Sequence, residues 1–157
     1  MEPKPAAAGG APGAILFICG QNAIRSPMAE AIARNLLPAN VYVRSAGVRA
    51  GEPDPFVEAA LAEIGLTLGR HQPHTLEDLE DDYFDLVISL SPQAHHAALE
   101  LTRSSAVEVI YWPMMDPTVT QGTREQILDG YRDLRDRLID LIETHFVRRE
   151  GTVTKPL

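Results

Sequence analysis

The apolar run Ile15-Leu16-Phe17-Ile18 stops at Cys19, and the chain then reads Gly20-Gln21-Asn22-Ala23-Ile24-Arg25-Ser26-Pro27 before a helical pattern begins. A short, continuous apolar run bounded by turn signals reads as a strand buried on both faces, which is the habit of strands in parallel sheets. Pro27 suits the first turn of a helix, where its missing N–H is no loss. Strand, tight loop and helix in immediate succession commit the chain to an α/β architecture.

The same alternation continues downstream. Strands are expected near 14–18, 41–45, 85–90 and 107–111, with helices between them. The first helix runs from Pro27 to Leu37. A second starts at Pro53-Asp54-Pro55, carries Phe56, Ala59, Ala60 and Ile64 at helical spacing, and ends at Gly65. The acidic stretch Glu77 to Asp82 reads as a short solvated helix, and another helix follows Ser91-Pro92. The last, about Arg124 to Phe146, puts Ile127, Tyr131, Leu134, Leu138, Leu141 and Ile142 on one stripe, with Tyr131 a core residue. The expected fold is one domain, residues 14–148, built on a four-stranded parallel sheet flanked by helices with a phosphate-binding loop after the first strand. Residues 1–13 and 149–157 read as flexible tails.

The loop after the first strand has the makings of an anion site. Five residues between Cys19 and Arg25 let the backbone curl around one tetrahedral oxyanion with its N–H groups inward. Gly20 permits the tight start, and Asn22 tolerates the left-handed conformation that such curls need. A helix N-terminus favours negative charge for the same reason. Arg25 adds a planar fork that takes two oxygens of a phosphate-like group at once. Ser26 is placed to donate its hydroxyl to the Cys19 sulfur, stabilising it as an attacking thiolate and again as a leaving group.

Composition limits the partners. At 157 residues and 45% hydrophobic, the chain supports one core. A net charge of -8 argues against a nucleic-acid or anionic-membrane surface, so an anion site has to be local. No apolar run approaches the roughly 20 residues needed to span a bilayer, and the opening MEPKPAAAGGAPG lacks the pattern of a secretory signal. A single cysteine rules out an internal disulfide and points to a reducing compartment, the cytoplasm. The adjacent pair His95-His96 would point to different helix faces and makes a poor joint metal site. No metal or cofactor is expected.

The segment CGQNAIRSPMAE, Cys19 to Glu30, resembles the phosphate loop of the low-molecular-weight protein tyrosine phosphatases and of the arsenate reductases that share their fold. The resemblance extends from about Ala14 to about Phe146. It implies that Cys19 is the nucleophile, that Arg25 and the loop residues Gly20, Gln21, Asn22, Ala23 and Ile24 bind phosphate, and that Asp116, in Asp116-Pro117, is the general acid. It further implies that Ser45, Asn22 and His71 form a supporting hydrogen-bond network.

This resemblance implies hydrolysis of phosphomonoesters through a phosphocysteine, with a phosphorylated protein or a small phosphomonoester as partner. Phosphotyrosine members of the family line the crevice with aromatic rings, whereas this chain has Arg49 in a shortened loop and Thr118-Val119 after Pro117. That loop resembles the arsenate-reductase branch. Ile24 stands where relatives often carry a second cysteine, so an arsenate reductase of this sequence needs arsenate plus an external small thiol. A non-catalytic phosphate- or phosphopeptide-binding module is the remaining alternative.

Overall fold

The computed structural model describes residues 13–79, 83–103 and 106–147. Four parallel strands, β1 (Ala14–Cys19), β2 (Tyr42–Gly47), β3 (Leu86–Ser89) and β4 (Glu108–Tyr111), form one sheet in the order β2-β1-β3-β4. Four helices connect and cover it: α1 (Arg25–Leu36), α2 (Pro55–Ala62), α3 (Pro92–Leu101) and α4 (Arg124–Ile142).

Strand β1 is buried along its whole length because it has a neighbour on each side and helices over both faces. Its side chains divide by alternation. Ile15, Phe17 and Cys19 join the larger core with Met28 and Ile32 of α1, Leu61 of α2, and Leu134 and Leu138 of α4. Leu16 and Ile18 join the smaller core on the other face, with Ala94 and Ala98 of α3. The period of two thus decides that Cys19 looks toward the α1 side of the sheet.

Register brings the strand ends level. Cys19 pairs with Gly47, Ile18 with Ser89, and Ser89 with Tyr111. The chain leaves β1 toward β2 on one side and returns to β3 on the other, so the loops after β1 and β3 diverge. A crevice at the carboxyl ends of the strands follows from that topology.

Local signals account for the helix starts. Asp54 caps α2 by accepting from the Phe56 N–H, Ser91 caps α3 by accepting from the Ala94 N–H, and Thr123 with Gln126 closes a capping box on α4. Helix α1 begins at Arg25, two residues earlier than Pro27, because the anion loop is already wound into its first turn. Its N-cap, Ile24, has no side chain able to accept an N–H.

Several expected boundaries move. Helix α2 ends at Ala62, and a turn through Gly65, at φ +79, returns the Leu66 N–H to the Leu61 carbonyl. The described part of the acidic stretch forms a 3-10 turn at Leu76–Asp78, closed by a Thr75/Asp78 capping box, while residues 80–82 lie outside the described residues. Helix α4 stops at Ile142 and gives way to a π turn, Glu143–Val147, that seats Phe146 against Trp112. The terminal tails lie outside the described residues except Gly13, whose N–H donates to Asp85 at 2.6 Å and so belongs to the fold. No helix among the described residues is long and apolar enough to cross a membrane.

Candidate active site

Cys19 ends β1 with its side chain 2% exposed at the floor of a crevice. Ser26, at the start of α1, meets it twice: Oγ lies 3.0 Å from Sγ, and the Ser26 N–H donates to Sγ at 3.4 Å. Both groups come from the N-terminal turn of α1, where the helix dipole favours negative charge. The sulfur thus has a hydroxyl and an N–H of that turn directed at it.

The loop between Cys19 and Arg25 is clamped from outside. The N–H groups of Val48, Arg49 and Gly51 donate to the carbonyls of Cys19, Gly20 and Gln21 at 3.1, 2.9 and 2.8 Å. In a trans peptide the carbonyl and the next N–H point in opposite directions. The amides of Gly20, Gln21 and Asn22 are therefore turned away from that outer loop, as a nest requires. Gly47 makes the clamp fit, since a Cβ there would lie 2.7 Å from the Asn22 nitrogen and closer still to the Arg49 carbonyl.

Asn22 holds the curl from within. It is fully buried and adopts φ +55, the left-handed region that the sequence assigns to it. Its side-chain amide donates to Ser26 Oγ at 2.9 Å and to Ser45 Oγ at 3.0 Å, and its Oδ1 accepts the His74 N–H at 3.0 Å. Ser45 in turn donates to Glu30, which is 8% exposed on α1 and also pairs with Arg34 at 2.6 Å. His71 Nε2 donates to the Asn22 carbonyl at 3.3 Å. Burial pulls the His71 imidazole below its ordinary pKa, only partly offset by the Asn22 carbonyl and by Glu30.

The fourth strand delivers the remaining group. Beyond β4, Asp116 caps a short 3-10 turn, Pro117–Val119, with Oδ1 accepting the Thr118 N–H at 2.9 Å and the Thr118 hydroxyl at 2.7 Å. Arg25 reaches toward the same segment, Nη1 donating to the Met114 carbonyl at 3.2 Å. Burial raises the Asp116 carboxyl, but the two Thr118 donors and the charge of Arg25 outweigh it and hold the carboxyl below its ordinary value.

Cys19, Gly20, Gln21, Ala23, Ile24, Arg25 and Asp116 line one crevice of about 230 Å³. Asn22, Ser26 and Ser45 lie buried behind its wall, and His71 lies behind Asn22. The sequence-predicted residues thus come together in two layers. Glu30, His74 and Gln93 are not among the expected site residues, and Thr118 is noted only for its place after Pro117. Glu30 carried a readable signal, a carboxylate between Met28 and Ile32 on the apolar face of α1. His74 carried none, because its contacts depend on how the segment after Gly69 returns along β2. A larger groove of about 620 Å³ touches Glu30, His71 and His74 from outside but holds none of Cys19, Arg25 and Asp116.

Known proteins resemble this arrangement over most of its length. An arsenate reductase of Halalkalibacterium halodurans is 31% identical over 130 residues, covering 83% of this chain and 92% of its own. A glutaredoxin arsenate reductase of Synechocystis is 26% identical over 129 residues, covering 82% and 92%. The YwlE arginine phosphatase from Geobacillus stearothermophilus superposes with a TM-score of 0.72 at 26% identity, covering 92% of this chain and 95% of its own. Residues 14–148 match the low molecular weight phosphotyrosine protein phosphatases, and the chain belongs to that family.

Proposed function

We propose that this chain hydrolyses phosphomonoesters through a phosphocysteine on Cys19. The observation that carries the reading is the meeting of Cys19, Arg25 and Asp116 in one crevice, although they come from β1, α1 and the loop after β4. The Cys19 sulfur attacks phosphorus in line, forming the S–P bond as the P–O bond to the leaving group breaks. Arg25 and the loop amides neutralise the equatorial oxygens. Asp116, protonated, gives its proton to the departing oxygen. It then takes a proton from the water that attacks phosphorus, and Ser26 stabilises the sulfur as the S–P bond breaks.

The crevice accounts for the protonation that Asp116 needs. After the two Thr118 hydrogen bonds, the charge of Arg25 helps hold the carboxyl down. A bound phosphate dianion counters that charge and pushes the carboxyl back up, so substrate binding favours the acid form. Asp116 is then poised as the acid when the leaving group departs.

The test compares two activities of the purified chain: hydrolysis of p-nitrophenyl phosphate, and arsenate-dependent consumption of a small thiol. Hydrolysis is expected, with a phosphorylated Cys19 detectable by mass after an acid quench. Cys19→Ser should abolish turnover while inorganic phosphate still binds. Turnover that survives Cys19→Ser would overturn the reading, and thiol consumption without hydrolysis would transfer the site to arsenate chemistry. Because Cys19 is the only cysteine in the chain, that chemistry would have to be completed by the external thiol.

A further inference from the structure

The crevice has a wall that phosphate does not use. Arg49 and Gln93 line it, together with Thr118 beside Asp116, and no aromatic ring lines it among the described residues. Arg49 is held through its backbone, whose N–H donates to the Gly20 carbonyl at 2.9 Å, between the bonds from Val48 and Gly51 to either side. Its guanidinium is exposed and has no ion-pair or hydrogen-bond partner among the described residues.

The charge balance at this spot departs from that of the chain. Overall the chain carries -8, yet the charged residues lining the crevice are two arginines, Arg25 and Arg49, against one carboxylate, Asp116. Arg25 serves the transferred phosphate, and Asp116 must be neutral when the leaving group departs. Arg49 then remains as a second, uncompensated cation among the lining residues.

We infer that the physiological substrate is a small phosphomonoester whose alcohol or phenol portion carries a second anionic group, a carboxylate or another phosphate, recognised by Arg49. The inference rests on the phosphatase reading above and names its substrate class. A volume of about 230 Å³ suits a compact molecule, being below the range of about 300–1,000 Å³ common for drug-sized ligands. A planar guanidinium binds a carboxylate or phosphate in a two-point fork. The same charge repels a cationic leaving group, which sets this chain apart from a site shaped for phosphorylated guanidinium.

The test uses matched aryl phosphates: 3-carboxyphenyl phosphate and 1,3-phenylene bisphosphate, each against neutral 3-carbamoylphenyl phosphate. Affinity is read by calorimetry on the Cys19→Ser protein, where leaving-group chemistry plays no part, and kcat/KM on the protein with Cys19 intact. Either anionic compound should be preferred over the neutral one by about fivefold or more, as expected for a charge-assisted bond discounted for exposure. Arg49→Met should bring the ratio to about one, and Arg49→Glu should invert it. Which of the two anionic compounds shows the larger ratio identifies carboxylate or phosphate as the partner. No preference before mutation, or a preference that survives Arg49→Met, would overturn the inference. An equal loss for all three compounds would also do so, by placing Arg49 on the transferred phosphate. Failure of every compound to turn over would strike the phosphatase reading instead, while the binding ratios would still decide the role of Arg49.

Discussion

The Asn22 side-chain amide reaches Ser45 Oγ at 3.0 Å and ties the curled loop after β1 to the end of β2. The same Nδ2 serves Ser26, so one amide group fixes both the shape of the anion loop and the hydroxyl that faces the sulfur. Replacing Asn22 separates conformation from hydrogen bonding. Asn22→Gly accepts φ +55 but loses the side chain, whereas Asn22→Ala loses the side chain and is strained as well. Both should slow turnover of an aryl phosphate and lower the melting temperature. Alanine should be the less stable of the two by about 1–2 kcal/mol, the cost of the left-handed conformation. Equal stability of the two variants in chemical denaturation would contradict this account.

Asp116→Asn tests the proton-transfer role. With a poor leaving group such as an alkyl phosphate, kcat should fall by roughly 10²–10⁴-fold. With p-nitrophenyl phosphate, whose phenoxide needs little help, the loss should be smaller. A steady-state series across leaving groups decides the matter, since equal losses would show that Asp116 gives no proton.

Thr118 sets where that proton is available. Its hydroxyl and N–H both favour the Asp116 carboxylate, against the opposing effect of burial. Thr118→Val keeps the N–H and removes the hydroxyl, so the Asp116 pKa should rise. The acid form then persists to higher pH. The alkaline limb of the kcat/KM profile should move upward, and a profile that moved downward or stayed in place would count against the assignment.

Glu63, just past the end of α2, joins that helix to α4 through Arg132 at 2.7 Å and Arg135 at 2.9 Å. Hydrogen bonds from Arg132 and then Arg135 lower its pKa from 4.5 to about 2. A carboxyl whose pKa is depressed by folding contributes stability that is complete above its unfolded value and lost as pH falls through the folded one. Glu63→Gln should therefore be less stable than the parent at neutral pH. That difference should close as pH falls from about 4.5 to about 2, followed by thermal melts across the range. A gap that stayed constant would show that charge is not the cause.

The anion loop was legible in the sequence because its determinants are local. A buried strand, a residue able to turn left-handed, an arginine and a helix start follow one another in a single short stretch. The strands were legible for a related reason, each apolar run lying within one or two residues of its observed place. What could not be read came from distant chain returning to the site. His74 meets Asn22 and Ser45 only because its carbonyl accepts the Gly47 N–H beside β2, a pairing with no periodic trace. The stripe of α4 shows the same limit. Leu128 and Arg135 are buried on it, while Ile127 and Leu141, also placed there by spacing, are only partly covered. Arg135 escapes a hydropathy reading because its guanidinium is satisfied by the Ala60 carbonyl and by Glu63.

Gly47 is another contact that spacing does not reveal, since its lack of a side chain lets the 48–51 segment lie against the loop. Gly47→Ala should push Arg49 and Asn22 apart and cost on the order of 1–3 kcal/mol, the usual range for overpacking. Activity should fall with it, and a fully active, equally stable variant would show that the clamp yields freely.

The lone thiol lies buried at the carboxyl end of an inner strand and at the floor of a narrow opening, and this makes the chain its own folding gauge. A small reagent can enter and report the state of the crevice. A bulky dye-linked maleimide has to wait until the strands part, so its labelling rate under native conditions reads the free energy of that opening. With no second sulfur to compete, each labelled molecule records one such event at one address.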